Sequence, residues 1–532
     1  MLQATLLSAT LGEDGRTEPP LGPLYIAAAL ESVEWKVDFR DYQIFEGADA
    51  FDPEQLVRFI QGHCNVLMIS CLVDMLPVIL AAAELIKAER PETYILLGGP
   101  GPTAGAAEFL RVFPEIDAIV MGEGEDTIQE WAAAYAGSDL ATRKPIPGMV
   151  YRSGDEIVEG GARGRIRNLE SAPRPAYHLL DWKHYSAGRI ITTRGCPYHC
   201  SFCDVAPLWG RKATYRDVTS AVEEMILLQD RYNAVGVSIA DDTFVLNRDR
   251  VKEFCHTLLD RGAEIQWGCF GRINLMSEEL IALMAEAGCR AIFYGIDSGS
   301  PRILDRTLKE LSVESILPTL EMSSRYFDRI EASFIWGYPF ETYEDFLCTL
   351  DLAARASQFS PTVNVQLHML SPLPSSPIYQ EFKDTLIYPE AEDSRFLLLP
   401  ALLLDERASV VRRVIERAPH LFPGFFSLPT PDKERKRARL NEVFTSLEAM
   451  IGRAILDEKV HALWTAENRV LEKELINFSD EASNPERIGT GLALGVFKRL
   501  RERKKESSVV RRKPSRAPGL VRQRNDALLR VL

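Results

Sequence analysis

The sequence lacks a run of apolar residues long enough to cross a membrane. A membrane-spanning helix needs about 20 consecutive apolar residues, whereas the densest apolar run, Phe396–Leu404, is much shorter and contains Pro400. A basic N-terminal region followed by a small-residue cleavage site, which would mark a secreted protein, is also missing. From these absences we expect a cytoplasmic protein without a transmembrane segment.

Cysteine is scarce and positive charge is in the minority. Nine cysteines, an odd number, do not make a disulfide framework and fit a reducing compartment. The net charge of −14 argues against nucleic-acid binding by the body of the protein. The exception is residues 498–532, where thirteen Lys and Arg outnumber three Asp and Glu, a net charge of +10 that leaves −24 for residues 1–497. This composition predicts a disordered basic tail.

The first 140 residues alternate strand-like and helix-like segments, which predicts a doubly wound parallel sheet. The clearest apolar runs are Leu2–Leu7, Val66–Ile69, Tyr94–Leu97 and Ile116–Met121. In such a sheet a ligand binds at the carboxyl ends of the strands. Two glycine-rich loops follow strands there, Gly98–Pro102 and Gly122–Glu125. Neither matches the G-x-G-x-x-G fingerprint, so a nicotinamide cofactor is disfavoured.

Three cysteines stand close together in the middle of the chain. Cys196, Cys200 and Cys203 have the spacing C-x3-C-x2-C. Three such thiolates can hold three irons of a [4Fe–4S] cube and leave the fourth iron open to an outside ligand. Phe202 is placed to shield a cluster from water. A zinc site with His199 as a fourth ligand, or plain packing, are the alternatives.

From residue 188 to residue 382 a strand–loop–helix pattern repeats about six times. Six such units predict an open (β/α)6 barrel, with chemistry at the carboxyl ends of its strands. Polar residues and a glycine follow successive strands; they are Asp241, Asp242, Arg272, Asp297, Ser298 and Gly337. Helix capping, turns and surface charge are the structural alternatives for each of them.

These motifs resemble a known enzyme family. The stretch Ile191–Asp204 resembles the signature of the radical S-adenosylmethionine (SAM) enzymes. Gly295–Ser300 resembles their G-x-E-S-G-S, with Asp297 where Glu is usual, and Gly337–Thr342 resembles G-x-P-G-E-T, with Phe340 replacing a glycine. The N-terminal loops look like the cobalamin-binding domain that precedes many such enzymes. The D-x-H-x-x-G loop, whose His ligates cobalt, is absent, so we expect cobalamin without a protein imidazole.

The resemblance implies three cofactors: a [4Fe–4S] cluster, SAM and cobalamin. The cluster is expected on Cys196, Cys200 and Cys203. The expected SAM contacts are Phe202, Asp241, Asp242, Arg272, Asp297, Ser298 and Gly337. The expected cobalamin contacts are Leu21, Gly22, Tyr25, Ser70, Cys71, Gly98, Gly99, Pro100, Thr103, Gly122, Glu123, Gly124 and Glu125. No catalytic acid or base can be assigned from the sequence.

The activity implied is methyl transfer to an unactivated carbon, through a 5′-deoxyadenosyl radical and methylcobalamin. Ring closure or rearrangement with the same cofactors is the alternative; a vestigial cobalamin domain and a non-catalytic carrier also stay open. The expected partners are a small-molecule substrate such as a biosynthetic intermediate, and an external electron donor such as flavodoxin or ferredoxin, without nucleic acid.

The sequence predicts an α/β protein in five parts. They are a doubly wound cobalamin-binding domain at 1–140, a linker with a short hairpin at 141–187, a partial (β/α)6 radical SAM barrel at 188–382, a mostly helical C-terminal domain at 383–497 and the basic tail at 498–532.

Overall fold

The computed structural model describes residues 2–10, 17–47, 49–137, 145–185, 187–360, 362–388, 390 and 409–443. The chain divides into two compact units. The first consists of Met1–Asp242 and Ser371–Ser427, and the second of Thr243–Leu370 and the described residues from Leu428 onward. The predicted basic tail and most of the predicted C-terminal domain lie outside the described residues. Among those that are described, no helix is both long and apolar enough to span a membrane.

A seven-stranded sheet forms the N-terminal part of the first unit. Its strands are β1 Gln3–Ala9, β2 Lys36–Asp41, β3 Val66–Cys71, β4 Tyr94–Gly98, β5 Ala118–Val120, β6 Met149–Ser153 and β7 Glu156–Glu159. The order is β2-β1-β3-β4-β5-β6-β7, parallel up to β5 and antiparallel from there on. In this order the ligand crevice of a doubly wound sheet lies where the order reverses, beside β1 and β3.

Helices cover both faces of this sheet. They are α1 Leu21–Glu31, α2 Pro53–Phe59, α3 Leu76–Glu89, α4 Pro100–Thr103, α5 Ala106–Val112 and α6 Glu125–Ala136. Alternate residues of β1 enter different apolar clusters: Leu7 packs on one face and Leu6 on the other. A strand buried on both sides has no polar face, which is why these strands read as continuous apolar runs. The predicted doubly wound sheet is therefore present.

The predicted hairpin in the 141–187 stretch is β6–β7, and it extends the N-terminal sheet. A segment from later in the chain, α15 Ser409–Arg417 with the aromatic residues after it, joins the apolar cluster that includes α3 and α5. Arg417 of α15 pairs with Glu84 of α3 at 3.3 Å, and the ring of Phe422 contacts that of Phe109 with centroids 5.7 Å apart. The described part of the predicted C-terminal region is thus divided between the two units.

The rest of the first unit carries the cysteine motif. It comprises β8 Gly188–Ile190, β9 Thr193–Arg194, α7 Val205–Leu208, β10 Thr214–Tyr215, α8 Val218–Tyr232, β11 Val237–Ile239 and α14 Pro377–Phe382. The strands β8 and β11 are parallel, and β9 and β10 form a short antiparallel pair. Between β8 and β9 the chain leaves the sheet, and the Asp241 carboxylate accepts the backbone N–H groups of Thr192 and of Thr193, the first residue of β9.

In the second compact unit, strands and helices alternate along the chain. Its strands are β12 Trp267–Gly271, β13 Cys289–Asp297, β14 Arg329–Trp336 and β15 Val363–Met369, parallel and paired in chain order. Its helices are α9 Arg248–Asp260, α10 Glu278–Glu286, α11 Pro301–Arg306, α12 Ile316–Ser323 and α13 Tyr343–Gln358. With β8 and β11 the six strands predicted for the barrel are all present, and the α/β fold class is confirmed.

Candidate active site

The cysteine loop, residues 195–213, is closed at its base by the β9–β10 pair, in which Arg194 faces Thr214. Gly195 has φ +92°, and a Cβ there would lie 2.3 Å from the carbonyl oxygen of Lys212. Only glycine fits this position, because both the torsion and the space exclude a side chain. The Gly195 N–H donates to Oδ2 of Asp242 at 2.9 Å. The backbone at the start of the cysteine loop is therefore held in one conformation.

The three predicted cluster ligands lie in this loop. Cys200 is buried, Cys196 and Cys203 are half-buried, and none of the nine cysteines forms a disulfide. Burial raises the pKa of the Cys203 thiol to about 11, while hydrogen bonds from the backbone N–H groups of Ala206 and Val205 oppose the rise. Amide donors of this kind also stabilise the sulfurs of iron–sulfur clusters. The donor chemistry and spacing fit a [4Fe–4S] cluster.

The three thiols do not converge on a single point. Among the described residues, no three His, Cys, Asp or Glu side chains form a ready metal site. A cube whose irons bind one thiolate each does not require the sulfurs to meet at a single ion. The assignment of Cys196, Cys200 and Cys203 as ligands thus rests on their spacing, their shared loop and the amide donors at Cys203.

Two adjacent carboxylates follow β11. Asp241 is buried, and it accepts hydrogen bonds from the N–H of Thr192 at 2.6 Å, its hydroxyl at 2.6 Å and the N–H of Thr193 at 2.9 Å. Desolvation, with further contributions from the Asp241 and Asp204 carboxylates, raises the pKa of Asp242 to about 6. Neither caps the following α-helix, α9, whose N-cap is Asn247. Both carboxylates hold the backbone that leads into the cysteine loop, and SAM contact by either stays a prediction.

In the second unit, Arg272 and Asp297 converge on a lysine that sequence reasoning missed. Asp297 has φ +70°, and its carboxylate pairs with the buried Lys309. The Arg272 guanidinium donates to the backbone carbonyl of Lys309 and, at 3.3 Å, to Oδ1 of Asn274. Lys309 lies beyond α11, three residues after the helix ends, and no strand or motif precedes it. Only the folded chain reveals that it serves the end of β13.

Other residues of the Gly295–Ser300 motif contact the helix α13. The hydroxyl of Ser298 is 3.0 Å from that of Thr349 on α13. A Cβ on Gly299 would lie 2.3 Å from the carbonyl oxygen of Cys348. Ser300 caps α11 and donates to Asp345 at 2.5 Å. The small residues of this motif therefore allow α13 to approach β13, and a SAM contact by Ser298 stays a prediction.

The loop after β14 is held by a fully buried ion pair. Gly337 has φ +87°, and its N–H donates to Oε2 of Glu341 at 2.8 Å. The same oxygen is 2.9 Å from Nζ of Lys436, and both side chains are completely buried. Lys436 also donates to the Thr430 hydroxyl, which in turn donates to the carbonyl of Tyr338. Lys436 belongs to the charged stretch 432–439, which reads as a solvated surface in sequence.

The predicted cobalamin contacts at β3 and β4 lie side by side, since Ser70 is the register partner of Gly98. Gly99 has φ +92°, and a Cβ there would lie 2.6 Å from the carbonyl oxygen of Cys71. Thr103 donates to the carbonyl of Gly99 at 2.8 Å. The glycine at position 99 is thus required by the close approach of the loop after β4 to the end of β3.

Other positions in this group leave room for a ligand. A Cβ added to Gly22 or to Gly122 would meet no atom within 4 Å, and both residues are exposed together with Pro100. Leu21 and Tyr25 of the same helix are buried. An open backbone at the strand ends of a doubly wound sheet suits a bulky ligand. The residues present fit cobalamin.

Glu123 and Glu125 are engaged by an arginine. Nη1 of Arg194 lies 2.9 Å from Glu123 and Nη2 lies 2.6 Å from Glu125, with all three side chains at least nine-tenths buried. The guanidinium also stacks on the ring of Tyr25, 4.8 Å from its centroid. Burial raises the pKa of Tyr25 to about 12. Contact between these carboxylates and cobalamin stays a prediction, because the geometry gives them a different partner.

Two protein-family models match the chain. Residues 7–132 match the B12 binding domain, and residues 190–353 match the radical SAM superfamily. The chain belongs to the cobalamin-dependent radical SAM enzymes. Its cofactors are accordingly a [4Fe–4S] cluster, SAM and cobalamin.

Three relatives of this radical SAM enzyme carry informative names. An uncharacterized methyltransferase of Pyrococcus horikoshii is 29% identical over 349 residues, 64% of this chain and 74% of the relative. An anaerobic magnesium-protoporphyrin IX monomethyl ester cyclase of Cereibacter sphaeroides is 26% identical, covering 85% of this chain and 75% of the relative. A cytidylyl-2-hydroxyethylphosphonate methyltransferase of Streptomyces wedmorensis is 26% identical, covering 63% and 73%.

A solved structure shares the fold. The radical SAM methyltransferase TsrM from Kitasatospora setae, with cobalamin and a [4Fe–4S] cluster bound, matches with a TM-score of 0.59 at 19% identity. The match covers 72% of this chain and 78% of that one. At this identity the likeness establishes the architecture of this radical SAM enzyme.

Proposed function

We propose that this enzyme transfers a methyl group from SAM to an unactivated carbon of a small-molecule substrate. The observation that carries the proposal is the presence of a B12 binding domain and a radical SAM domain in one chain. A radical generator beside a methyl carrier is the combination that methylation of an sp³ carbon needs. Two of the relatives are named methyltransferases, which supports this assignment.

When bound, the cluster and SAM supply a radical that removes hydrogen from the substrate, and cobalamin supplies the methyl group. The chain's own residues position these groups. Cys196, Cys200 and Cys203 would hold the cluster, with Phe202 excluding water from it. The open backbone at Gly122 would let a flat macrocycle approach the strand ends.

The second unit contributes fixed charge. The Lys309 ammonium holds the Asp297 carboxylate at the end of β13, where the family resemblance expects SAM. Because both groups are buried, their arrangement needs no reorganisation when a ligand arrives. We assign Arg272, Asp297 and Gly337 to SAM binding, with Lys309 as a residue that orients Asp297.

Ring closure without methyl transfer is the second candidate. It is favoured by the cyclase of Cereibacter sphaeroides, whose match covers more of this chain than that of either methyltransferase. A cyclase of this class would cleave SAM at the cluster but would leave its methyl group out of the product.

The proposal includes a cytoplasmic location and an external one-electron donor such as flavodoxin or ferredoxin. Iron–sulfur ligands must be reduced thiols, and nine cysteines without a disulfide suit a reducing compartment. Nucleic acid is not proposed as a substrate, since residues 1–497 carry a net charge of −24.

The test is a product balance under anaerobic conditions. The reconstituted enzyme, SAM, hydroxocobalamin, a reductant and a small-molecule extract are incubated, and products are quantified by mass spectrometry. Methyl transfer predicts 5′-deoxyadenosine and S-adenosylhomocysteine at about one to one, with a substrate about 14 Da heavier. Substrate-dependent 5′-deoxyadenosine without S-adenosylhomocysteine would move the assignment to the cyclase class.

A further inference from the structure

Glu123 connects two arginines that flank the cysteine loop. Its Oε1 binds Arg194, the residue immediately before the loop. Its Oε2 accepts from the N–H of Ile166 at 2.8 Å and lies 3.6 Å from Nε of Arg165. Arg165 comes from the stretch predicted as a linker. One carboxylate of the B12 binding domain thus contacts both cations.

Arg165 closes the far end of the same loop. Its Nη1 donates to the carbonyls of Trp209 at 3.1 Å and Lys212 at 2.6 Å, and its Nη2 donates to the carbonyl of Arg194 at 3.0 Å. The guanidinium also lies over the Trp209 ring, 5.1 Å from its centroid. The two ends of the cysteine loop are therefore tied to each other and to Glu123.

The loop Gly122–Glu125 has two different sides. The Gly122 side is open, which suits a ligand, whereas the carboxylates of Glu123 and Glu125 are buried against Arg194. Buried ion pairs are held tightly, since breaking one leaves an uncompensated charge in a poorly solvated site. A movement of this loop when cobalamin binds would therefore displace Arg194 through these ion pairs. Arg194 is one residue from Gly195 and two from Cys196.

We infer that Glu123 and Glu125 are positioning residues that couple the cobalamin site to the cluster site through Arg194 and Arg165. Each cofactor then changes the affinity for the other, by the same factor in both directions. This inference rests on the two cofactor sites of the proposed function and does not depend on methyl transfer.

The test compares the dissociation constant for hydroxocobalamin before and after reconstitution of the full chain with iron and sulfide. In the wild-type protein the two constants should differ by roughly 5- to 150-fold, the usual range for coupled sites. In E123Q/E125Q the ratio should fall to about one, with both cofactors still bound. E130Q is the matched control, because Glu130 lies on α6 like Glu125 but pairs with Arg163 at the surface. Its ratio should equal that of the wild type.

The ratio of the two dissociation constants distinguishes coupling from two simpler roles of the glutamates, contact with cobalamin alone and stabilisation of the fold alone. If the glutamates only contacted cobalamin, or only stabilised the fold, E123Q/E125Q would weaken binding equally with and without the cluster and keep the wild-type ratio. That result would overturn the inference. If the double variant does not fold, E125Q, which keeps the Arg194–Glu123 pair, takes its place: a reduced ratio supports the inference and an unchanged one contradicts it. A wild-type chain unable to bind one of the cofactors would contradict the proposed function as well.

Discussion

At the scale of single residues, three buried cations hold the carboxylates of candidate site residues and of their loops. Arg194 pairs with Glu123 and Glu125, Lys309 with Asp297, and Lys436 with Glu341. Each pairing joins a residue of a recognisable motif to a buried cation, and two of those cations, Lys309 and Lys436, lie outside every motif. A sequence shows charge but not burial, so Asp297 could be predicted as a site residue while Lys309 could not. Arg216 shows the same limit, since this arginine is buried and pairs with the fully buried Glu224.

Replacing Lys436 with Met should destabilise the second unit strongly. The change leaves the Glu341 carboxylate buried without its partner, which costs about 3–5 kcal/mol. Chemical denaturation followed by tryptophan fluorescence measures the effect, with K436M/E341M expected to recover much of the loss. Arg58→Ala, which breaks an exposed pair with Glu54, is the control and should cost less than about 1 kcal/mol. If Lys436→Met lowered the free energy of unfolding by no more than Arg58→Ala does, the buried pair would not stabilise the fold.

Gly195→Ala should prevent assembly of the cluster. Its Cβ would overlap the carbonyl oxygen of Lys212, so the base of the cysteine loop must open. Gly210 is a matched control in the same loop: it has φ +60°, but its Cβ would meet nothing within 4 Å. Iron and sulfide assays after reconstitution should find about four irons per chain in Gly210→Ala and far fewer in Gly195→Ala. A full complement of iron in both variants would refute the close-packing argument.

At the scale of elements, the sequence predicts well what depends on periodicity. The parallel strands of the first sheet are continuous apolar runs because both of their faces are covered, and the six barrel strands follow from alternation with helices. Periodicity does not predict features of the structure that depend on the contacts of one residue. The Asp241 carboxylate holds the backbone where the chain passes from β8 to β9, and Gly99 is required by its contact with the end of β3 rather than by a ligand alone.

The N-terminus of α1 should act as a wall of the cobalamin crevice. Gly22 has open space where a side chain would project, so Gly22→Leu should block cobalamin. The helix should not be destabilised, because glycine is about 0.8–1 kcal/mol less favourable than alanine in a helix and leucine ranks next to alanine. Retention of hydroxocobalamin through gel filtration measures the effect. Gly22→Ala, which fills much less of the space, should retain the cofactor. Undiminished binding by Gly22→Leu would place the macrocycle elsewhere.

At the scale of the whole molecule, the family follows from the co-occurrence of two domains in one chain. Neither the cysteine spacing nor the glycine-rich loops would suffice alone, because zinc sites and ordinary helix turns use similar patterns. The family is identified by the occurrence of both patterns, in this order, in one chain.

The central claim, that this chain methylates carbon with both cofactors, is tested most directly by following the methyl group. The reconstituted enzyme is supplied with SAM labelled in its methyl group and with a substrate deuterated at the reacting carbon. The account predicts the label in the product and deuterium in 5′-deoxyadenosine, as expected when the cofactors divide the chemistry. Product that carries no label, formed together with deuterated 5′-deoxyadenosine, would contradict it.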